Sequence, residues 1–174
     1  PLKNKIFAWY LRRRVILTKD NLIKRNWHGS PQCVFCHHDE TIKHLFFQYE
    51  LARSIWSVIQ IASGLYPPYS VANIFGNWLH GIDHMFRTLL RVGALAVIWS
   101  LWLCRNDMVF NDKSTSLMQV IYRCTGTLRL WSFLQRVENR DLFTEVRTRL
   151  EDTTRDTFIQ HGWQHDHRIG PPPL

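Results

Sequence analysis

Cysteine is scarce in this sequence, and its spacing excludes a secreted fold held together by disulfides. Four cysteines occur, and only Cys33 and Cys36 lie close together. Cys104 and Cys124 are isolated in apolar, helix-like surroundings, where a single cysteine usually serves as a small buried hydrophobe. Small secreted domains instead carry their cysteines closely spaced along a short chain. The pattern predicts an intracellular protein of the nucleus or cytoplasm that is not secreted.

The sequence also lacks a hydrophobic run long enough to span a membrane, and no signal peptide is evident. The longest apolar stretch, residues 92–104, lies between Arg91 and Arg105, whereas a spanning helix needs about 20 apolar residues. We therefore interpret this stretch as a buried core helix and expect no membrane partner. The first residue is Pro1 rather than methionine, which is typical of a fragment of a longer protein.

Acidic residues are fewer than basic residues. The chain has 14 Asp and Glu against 22 Lys and Arg, a formal net charge of +8. This balance favours an anionic partner, with nucleic acid first and an anionic membrane surface second. The basic residues are spread along the chain, so the alternative that the charge only maintains solubility stays open. Hydrophobic residues make up 45% of the chain, which is enough for a folded core.

One short segment carries recognisable chemistry. Cys33 and Cys36 form a Cys-x2-Cys pair, a spacing that lets two thiolates bind one tetrahedral Zn²⁺ from a single tight turn. His44 follows and offers an imidazole from the start of a predicted helix. A closed structural site needs a fourth ligand, and the residue five positions after His44 is Tyr49. The alternative is that the two cysteines are ordinary thiols on a turn.

Several motifs around this segment carry a family resemblance. They are Lys5-Ile6-Phe7-Ala8-Trp9, Ile16-Leu17-Thr18-Lys19-Asp20-Asn21-Leu22, Arg25-Asn26-Trp27, Cys33-Val34-Phe35-Cys36, His44-Leu45-Phe46-Phe47-Gln48, and Ala52-Arg53 with Trp56. In this order and spacing, residues 5–56 resemble the zinc-binding domain that follows the reverse transcriptase in plant LINE-type (non-LTR) retrotransposons. Segments 98–107, 109–110 and 158–163 are similar to what often follows that domain.

The resemblance implies the ligand pattern Cys-x2-Cys-x7-His-x4-Cys. Cys33, Cys36 and His44 match its first three ligands, and Tyr49 replaces the fourth. A neutral phenol with a pKa of about 10 is a poor zinc ligand beside a thiolate. The alternatives for the fourth position are His37 or His38 from the adjacent loop, or water. We therefore expect a domain that folds on the apolar residues around the site, with zinc as a cofactor that is weakly bound or lost. The expected core residues are Phe7, Trp9, Trp27, Phe35, Leu45, Phe46 and Trp56.

The predicted fold is mostly α, with short helices around a CCHC-type zinc knuckle followed by a helical bundle. Helical spacing of apolar residues recurs over residues 50–62, 83–109 and 116–139, whereas strand-like alternation is weak. A further helix is expected to begin near Thr41, and Ser70 can cap a short helix that runs toward Leu79. The break at residues 64–69 separates a predicted zinc-knuckle-like domain, residues 1–63, from a helical region, residues 70–158. Residues 159–174, rich in His, Gly and Pro, are predicted to be a disordered tail.

The resemblance and the charge together predict a non-catalytic module that binds RNA or single-stranded DNA. The expected contacts are Arg12, Arg13, Arg14, Lys19, Lys24, Arg25 and Trp27, accompanied by Lys3, Lys5 and Trp9. Basic side chains would neutralise phosphates, and an aromatic ring would stack on an unpaired base. No small-molecule substrate is expected, and the sequence does not determine the oligomeric state. The alternatives are a degenerate retrotransposon remnant without selected function, and a helical protein-interaction module.

Catalysis is not expected from this sequence. It has no Tyr-x-Asp-Asp-like segment for a polymerase palm, and its helical character does not suit a strand-rich ribonuclease H. The acidic neighbours Asp39 and Glu40 are interpreted as a solvated loop rather than a general acid and base. The chain is therefore predicted not to be an enzyme.

Overall fold

A computed structural model describes residues 2–133 and 137–161 of the chain, and these residues are mostly helical. The elements are α1 (Leu2–Arg12), α2 (Lys19–Ile23), a π-helical turn (His44–Gln48), α3 (Glu50–Ser63), α4 (Val71–Phe75), α5 (His84–Asn111), α6 (Leu117–Ser132) and α7 (Val137–His161). Within these ranges no β-strand forms, and extended pairing is limited to one antiparallel bridge between Gln32 and Asp39. The mostly α fold predicted from the sequence is confirmed.

Local sequence explains where several helices begin and end. Ser70 caps α4, its hydroxyl accepting a hydrogen bond from the Asn73 amide at 3.1 Å. Ser116 and Gln119 form a reciprocal capping box at the start of α6. Helix α3 ends at Gly64, whose φ of +72° is a left-handed conformation that glycine adopts without a Cβ clash. These polar and glycine positions place the predicted helices close to their observed bounds.

The observed elements differ from the expected ones in two places. The helix expected near Thr41 is a π-helical turn over His44–Gln48. The helix expected over residues 116–139 ends at Ser132, and α7 begins at Val137. Residues 159–161 continue α7, and the rest of the predicted tail, 162–174, lies outside the described residues.

The hydrophobic core is one continuous cluster that draws on both halves of the chain. It includes Phe7 of α1, Phe46 of the π-helical turn, Ile98 of α5 and Leu150 of α7. The division into domains at residues 64–69 stays a prediction, because a shared core does not decide whether either part folds alone. Within this cluster, α5 packs against α1, α4, α6 and the π-helical turn.

The expected core around the knuckle is only partly correct. Phe7, Leu45, Phe46 and Trp56 are buried as expected, and the Trp56 indole donates a hydrogen bond to the Phe46 carbonyl at 2.8 Å. By contrast, the side chains of Trp9 and Trp27 are 55% and 40% exposed. Two of the predicted core rings therefore face solvent to a large extent.

One helical segment, Phe86–Asn111, has the length and composition of a membrane-spanning helix. Core helices of soluble proteins have the same composition. Here Ala96, Ile98 and Leu101 are buried in the core cluster, and Arg105 forms a buried ion pair within the protein. About 33% of the most apolar window of this segment is buried inside the protein, and both the core-helix interpretation and the absence of a membrane partner stay predictions.

Candidate metal centre and basic surface

A small hairpin-like loop presents the two cysteines. The Cys33 amide donates to the His38 carbonyl at 2.8 Å, and the Glu40 amide donates to the Pro31 carbonyl at 2.9 Å. These bonds close the loop, and the Phe35 amide near the Cys33 sulfur partly offsets the rise that burial causes in the pKa of this thiol. An amide aimed at sulfur stabilises a thiolate. The loop is therefore shaped to present metal-binding thiolates.

The π-helical turn brings the His44 side chain next to the loop that carries the two cysteines. His44 lies at its start, with its amide donating to the Thr41 hydroxyl at 3.0 Å. The Tyr49 amide donates to the His44 carbonyl at 2.8 Å, a five-residue step that widens the turn. Such π-turns are rare and occur frequently at functional sites. The turn holds positions 44 and 49 side by side, facing the cysteine loop.

Cys33, Cys36 and His44 form a compact donor cluster. Their ligand atoms all lie within 4.8 Å of one another, and the Cys36 Sγ is 3.2 Å from the His44 Nε2. Zinc bond lengths and a tetrahedral angle imply ligand separations of roughly 3.6–3.8 Å, so small shifts would admit the ion. Among the described residues, this is the group of His, Cys, Asp and Glu side chains that satisfies the spacing. The three side chains fit zinc.

Burial sets the protonation of these donors. It raises the pKa of the Cys33 thiol to about 12 and lowers the pKa of His44. Without a metal, Cys33 is therefore a thiol, and His44 is a neutral imidazole with a lone pair available. A bound cation would displace the Cys33 proton, as metal binding to thiols generally does.

Tyr49 occupies the fourth-ligand position as a packing residue. Its side chain is 5% exposed, and its ring stacks on Phe35 with the two centroids 5.0 Å apart. The centroid of the His44 ring lies 6.0 Å away. Burial, reinforced by Cys33, raises the pKa of the Tyr49 phenol. It therefore stays neutral and supplies aromatic contact rather than an anionic donor, so the fourth position does not fit the family's ligand set.

The two loop histidines that were considered as substitutes lie outside the cluster. His37 and His38 are both exposed. The His38 ring stacks near that of His44, with centroids 5.6 Å apart. Neither ring belongs to the group of three donors within the described residues. The structure thus places the three matching ligands together, and no fourth His, Cys, Asp or Glu donor joins them among residues 2–133 and 137–161.

Glu40 is the residue that sequence reasoning misplaced most clearly. Expected in a solvated loop, it is fully buried, and Arg105 binds both of its carboxylate oxygens at 2.7–3.2 Å. The Lys19 amide also donates to Glu40 at 3.1 Å. Arg105 is itself 4% exposed and lies over the Trp102 ring. This ion pair fastens the cysteine loop to α5, and the only sequence signal for it was an arginine inside an apolar helix.

The predicted nucleic-acid contacts divide into two groups. Arg12, Arg13 and Arg14 are exposed where α1 ends, and Arg25 and Trp27 are exposed after α2. Lys3 and Lys5 on α1 are exposed as well, whereas Lys19 and Lys24 are engaged within the protein. The ammonium of Lys19 donates to the Gln32 carbonyl, and that of Lys24 pairs with Asp20 at 3.3 Å.

An aromatic pair lies beside the first group. The Arg13 guanidinium lies 5.6 Å from the centroid of the Trp9 ring, and Tyr10 meets Trp9 edge to face at 5.2 Å. Tyr10 was not singled out from the sequence, although its position next to Trp9 on a basic helix was visible. We call Trp9, Tyr10, Arg12 and Arg13 the α1 surface.

Comparison with protein families assigns the N-terminal part of the chain. Residues 1–56 match the family described as zinc-binding in reverse transcriptase. The match confirms the resemblance of residues 5–56 to a reverse-transcriptase zinc-binding domain, whereas the plant LINE-type origin stays a prediction. The matched segment contains all three clustered donors and Tyr49. No curated protein and no solved structure matches the chain. Residues 1–56 are thus similar to a zinc-binding segment found in reverse transcriptase, and they hold a possible Cys-Cys-His site.

Proposed function

We propose that this chain is a non-catalytic, intracellular module that binds RNA or single-stranded DNA and descends from a plant LINE-type retrotransposon. The observation that carries the proposal is the α1 surface, where an exposed tryptophan lies beside an arginine guanidinium. The family match adds that such a segment accompanies an enzyme that acts on nucleic acid.

The exposure of Trp9 supports base stacking. A ring 55% exposed contributes little to the core, and Tyr10 beside it is 44% exposed. Bases of a single strand stack on such rings with little sequence preference, because every base has a π-face. The guanidinium of Arg13 adds a cation beside the same ring. The pair therefore resembles the platforms that hold unpaired bases.

The charge around the rings supports contact with a phosphate backbone. Arg12, Arg13 and Arg14 follow one another where α1 ends and are all exposed. Each cation that neutralises a phosphate of a single strand contributes roughly −0.7 to the slope of log K against log salt. We therefore expect strong binding at low ionic strength that weakens steeply as salt is added.

The zinc site is proposed to be weak and dispensable for folding. Three donors converge, but Tyr49 supplies stacking on Phe35 where the family has a thiolate. The apolar cluster around Leu45, Phe46 and Trp56 then stabilises the fold without the ion. Glu40, the one fully buried carboxylate near the site, is held by Arg105, which supports a structural rather than a catalytic role for the acidic loop.

Replacing Trp9 with alanine tests the proposed platform. We expect Trp9→Ala to weaken binding of a single-stranded oligouridylate by about 1–3 kcal/mol, roughly 5- to 150-fold. Tyr122→Ala is the matched control, because Tyr122 is a 50% exposed ring on a different helix, α6. Fluorescence anisotropy at low ionic strength gives both affinities. Equal losses in the two variants, or no binding by the unmodified protein, would rule out the α1 surface as the binding site.

A further inference from the structure

A second basic feature lies next to the α1 surface, in a cavity of about 270 Å³. Its lining includes Arg14, Lys24 and Lys43, with Asp20 as its single carboxylate. The volume is below the roughly 300–1,000 Å³ typical of pockets for drug-sized ligands. The cavity therefore suits a small anionic group.

Internal pairing leaves much of this positive charge uncompensated. Asp20 accepts hydrogen bonds from the Thr18 hydroxyl at 2.6 Å and from the Lys24 ammonium at 3.3 Å. Within the described part of the chain, no ion pair involves Arg14 or Lys43. Two cations thus line the same cavity without a carboxylate partner, which is the electrostatic condition for holding an anion.

Two hydroxyl groups in the cavity wall have hydrogens available to donate. Thr41 and Ser70 both line the cavity, and each uses its oxygen to accept a backbone amide, from His44 and Asn73 respectively. A hydroxyl that accepts from an amide keeps its own hydrogen free for a second partner. These hydroxyls can donate to an anion that Arg14 and Lys43 attract.

The backbone at Arg14 is held in an unusual conformation. Its φ of +58° is left-handed, which is uncommon for a residue with a side chain. The buried Asn21 fixes this turn, its side-chain amide donating to the carbonyls of Arg14 at 2.9 Å and Ile16 at 2.8 Å. Conformations of this kind persist where the surroundings enforce them and are concentrated at ligand sites.

We propose that this cavity binds a phosphate group of a nucleic-acid strand, with Arg14 and Lys43 as its principal ligands. The proposal rests on the proposed function, because the strand that supplies the phosphate is the one bound at the α1 surface. Arg14 directly follows Arg13 of that surface in the chain. An arginine fork and a lysine point charge are the usual protein partners of phosphate oxygens.

Oligouridylate titrations with Lys43→Ala and Arg14→Gln test the proposal. Each variant should bind oligouridylate several-fold more weakly than the unmodified protein. The slope of the logarithm of its binding constant against the logarithm of salt concentration should be shallower by roughly 0.7. Arg129→Ala is the matched control, because it removes an exposed cation of α6 and should leave both quantities unchanged. Circular dichroism and zinc content confirm that each variant is folded like the unmodified protein. If the unmodified protein binds RNA and Lys43→Ala matches Arg129→Ala, the cavity proposal is overturned while the proposed function stands.

A second measurement separates the strand from free phosphate as the source. Backbone amide shifts around residues 14 and 43 are recorded by NMR while inorganic phosphate alone is added. Shifts confined to this cavity, together with competition by phosphate against the oligonucleotide, support the assignment. If inorganic phosphate changes these amide shifts but the protein binds no RNA, the ligand of the cavity is not a nucleic-acid strand. That result would also contradict the proposed function. No response to phosphate at these residues, combined with unaltered RNA binding by both variants, would reject the cavity.

Discussion

Replacing Tyr49 with cysteine should convert weak zinc binding into tight binding, so that zinc becomes the main source of stability near the cysteine loop. The π-helical turn already places position 49 beside His44 and facing the cysteine loop. A thiolate there would complete the set that Cys33, Cys36 and His44 begin. The expected result is near-stoichiometric zinc in Tyr49→Cys and less than one equivalent in the unmodified protein.

The expected magnitude is large because a direct ligand is involved. Changes to groups that only support metal ligands already cost roughly 10–100-fold in affinity. We therefore expect the fourth thiolate to tighten zinc binding by at least about 100-fold. Without zinc the same substitution removes a buried ring that stacks on Phe35, a loss of about 2–4 kcal/mol by analogy with other large-to-small core changes. Tyr49→Cys should thus be less stable than the unmodified protein in chelator and more stable in zinc.

Competition with a chromophoric chelator measures the zinc affinity. Thermal unfolding in chelator and in zinc shows whether the order of stability of Tyr49→Cys and the unmodified protein changes between the two conditions. Tyr49→Phe is the matched control, because it keeps the ring and adds no ligand, so its zinc affinity should equal that of the unmodified protein. Cys33→Ser should abolish the gain when combined with Tyr49→Cys. Full zinc occupancy in the unmodified protein would contradict the prediction and show that water or a loop histidine closes the site adequately.

Removing the charge of Arg105 should destabilise the fold more than any surface substitution. Arg105→Met leaves the carboxylate of Glu40 buried without its cation, and the Lys19 amide is then its remaining donor among the described residues. Breaking one side of a buried ion pair typically costs about 3–5 kcal/mol, because the remaining charge keeps its desolvation penalty. Urea unfolding followed by circular dichroism gives the change in the free energy of unfolding.

Two further variants test whether the destabilisation by Arg105→Met comes from leaving a buried charge unpaired rather than from the loss of any salt bridge. Arg155→Ala breaks the ion pair between Arg155 and Asp152, whose side chains are 60% and 51% exposed respectively. It should change the free energy of unfolding by less than about 1 kcal/mol. The double variant Glu40→Leu with Arg105→Met removes both charges and should recover most of the loss. A double variant as unstable as Arg105→Met alone would mean that packing, not charge, explains the effect.

Sequence reasoning predicted the local features well. Periodic apolar residues and a glycine stop located α3, and a serine cap located α4. The clustering of Cys33, Cys36 and His44 followed from spacing, because a tight turn and a nearby helix leave these side chains few other positions.

The rest depended on contacts between distant residues. Glu40 and Arg105 are 65 positions apart, so no local pattern distinguishes this carboxylate from that of a solvated loop. Trp9 was expected in the core because large rings are usually buried, yet Phe7 takes the inward position on α1 and Trp9 points outward. The cavity of Arg14 and Lys43 joins segments that come together only in the folded chain.

The ion pair of Glu40 and Arg105 also limits how the molecule can be divided. The family match ends at residue 56, which makes a fragment of residues 1–56 an obvious choice for expression. Such a fragment would retain every matched ligand but omit Arg105, leaving an anionic group in the interior without its cation. The limit of recognisable sequence is therefore a poor guide to where the chain can be cut, because only a fragment that extends through α5 keeps the cation that pairs with Glu40.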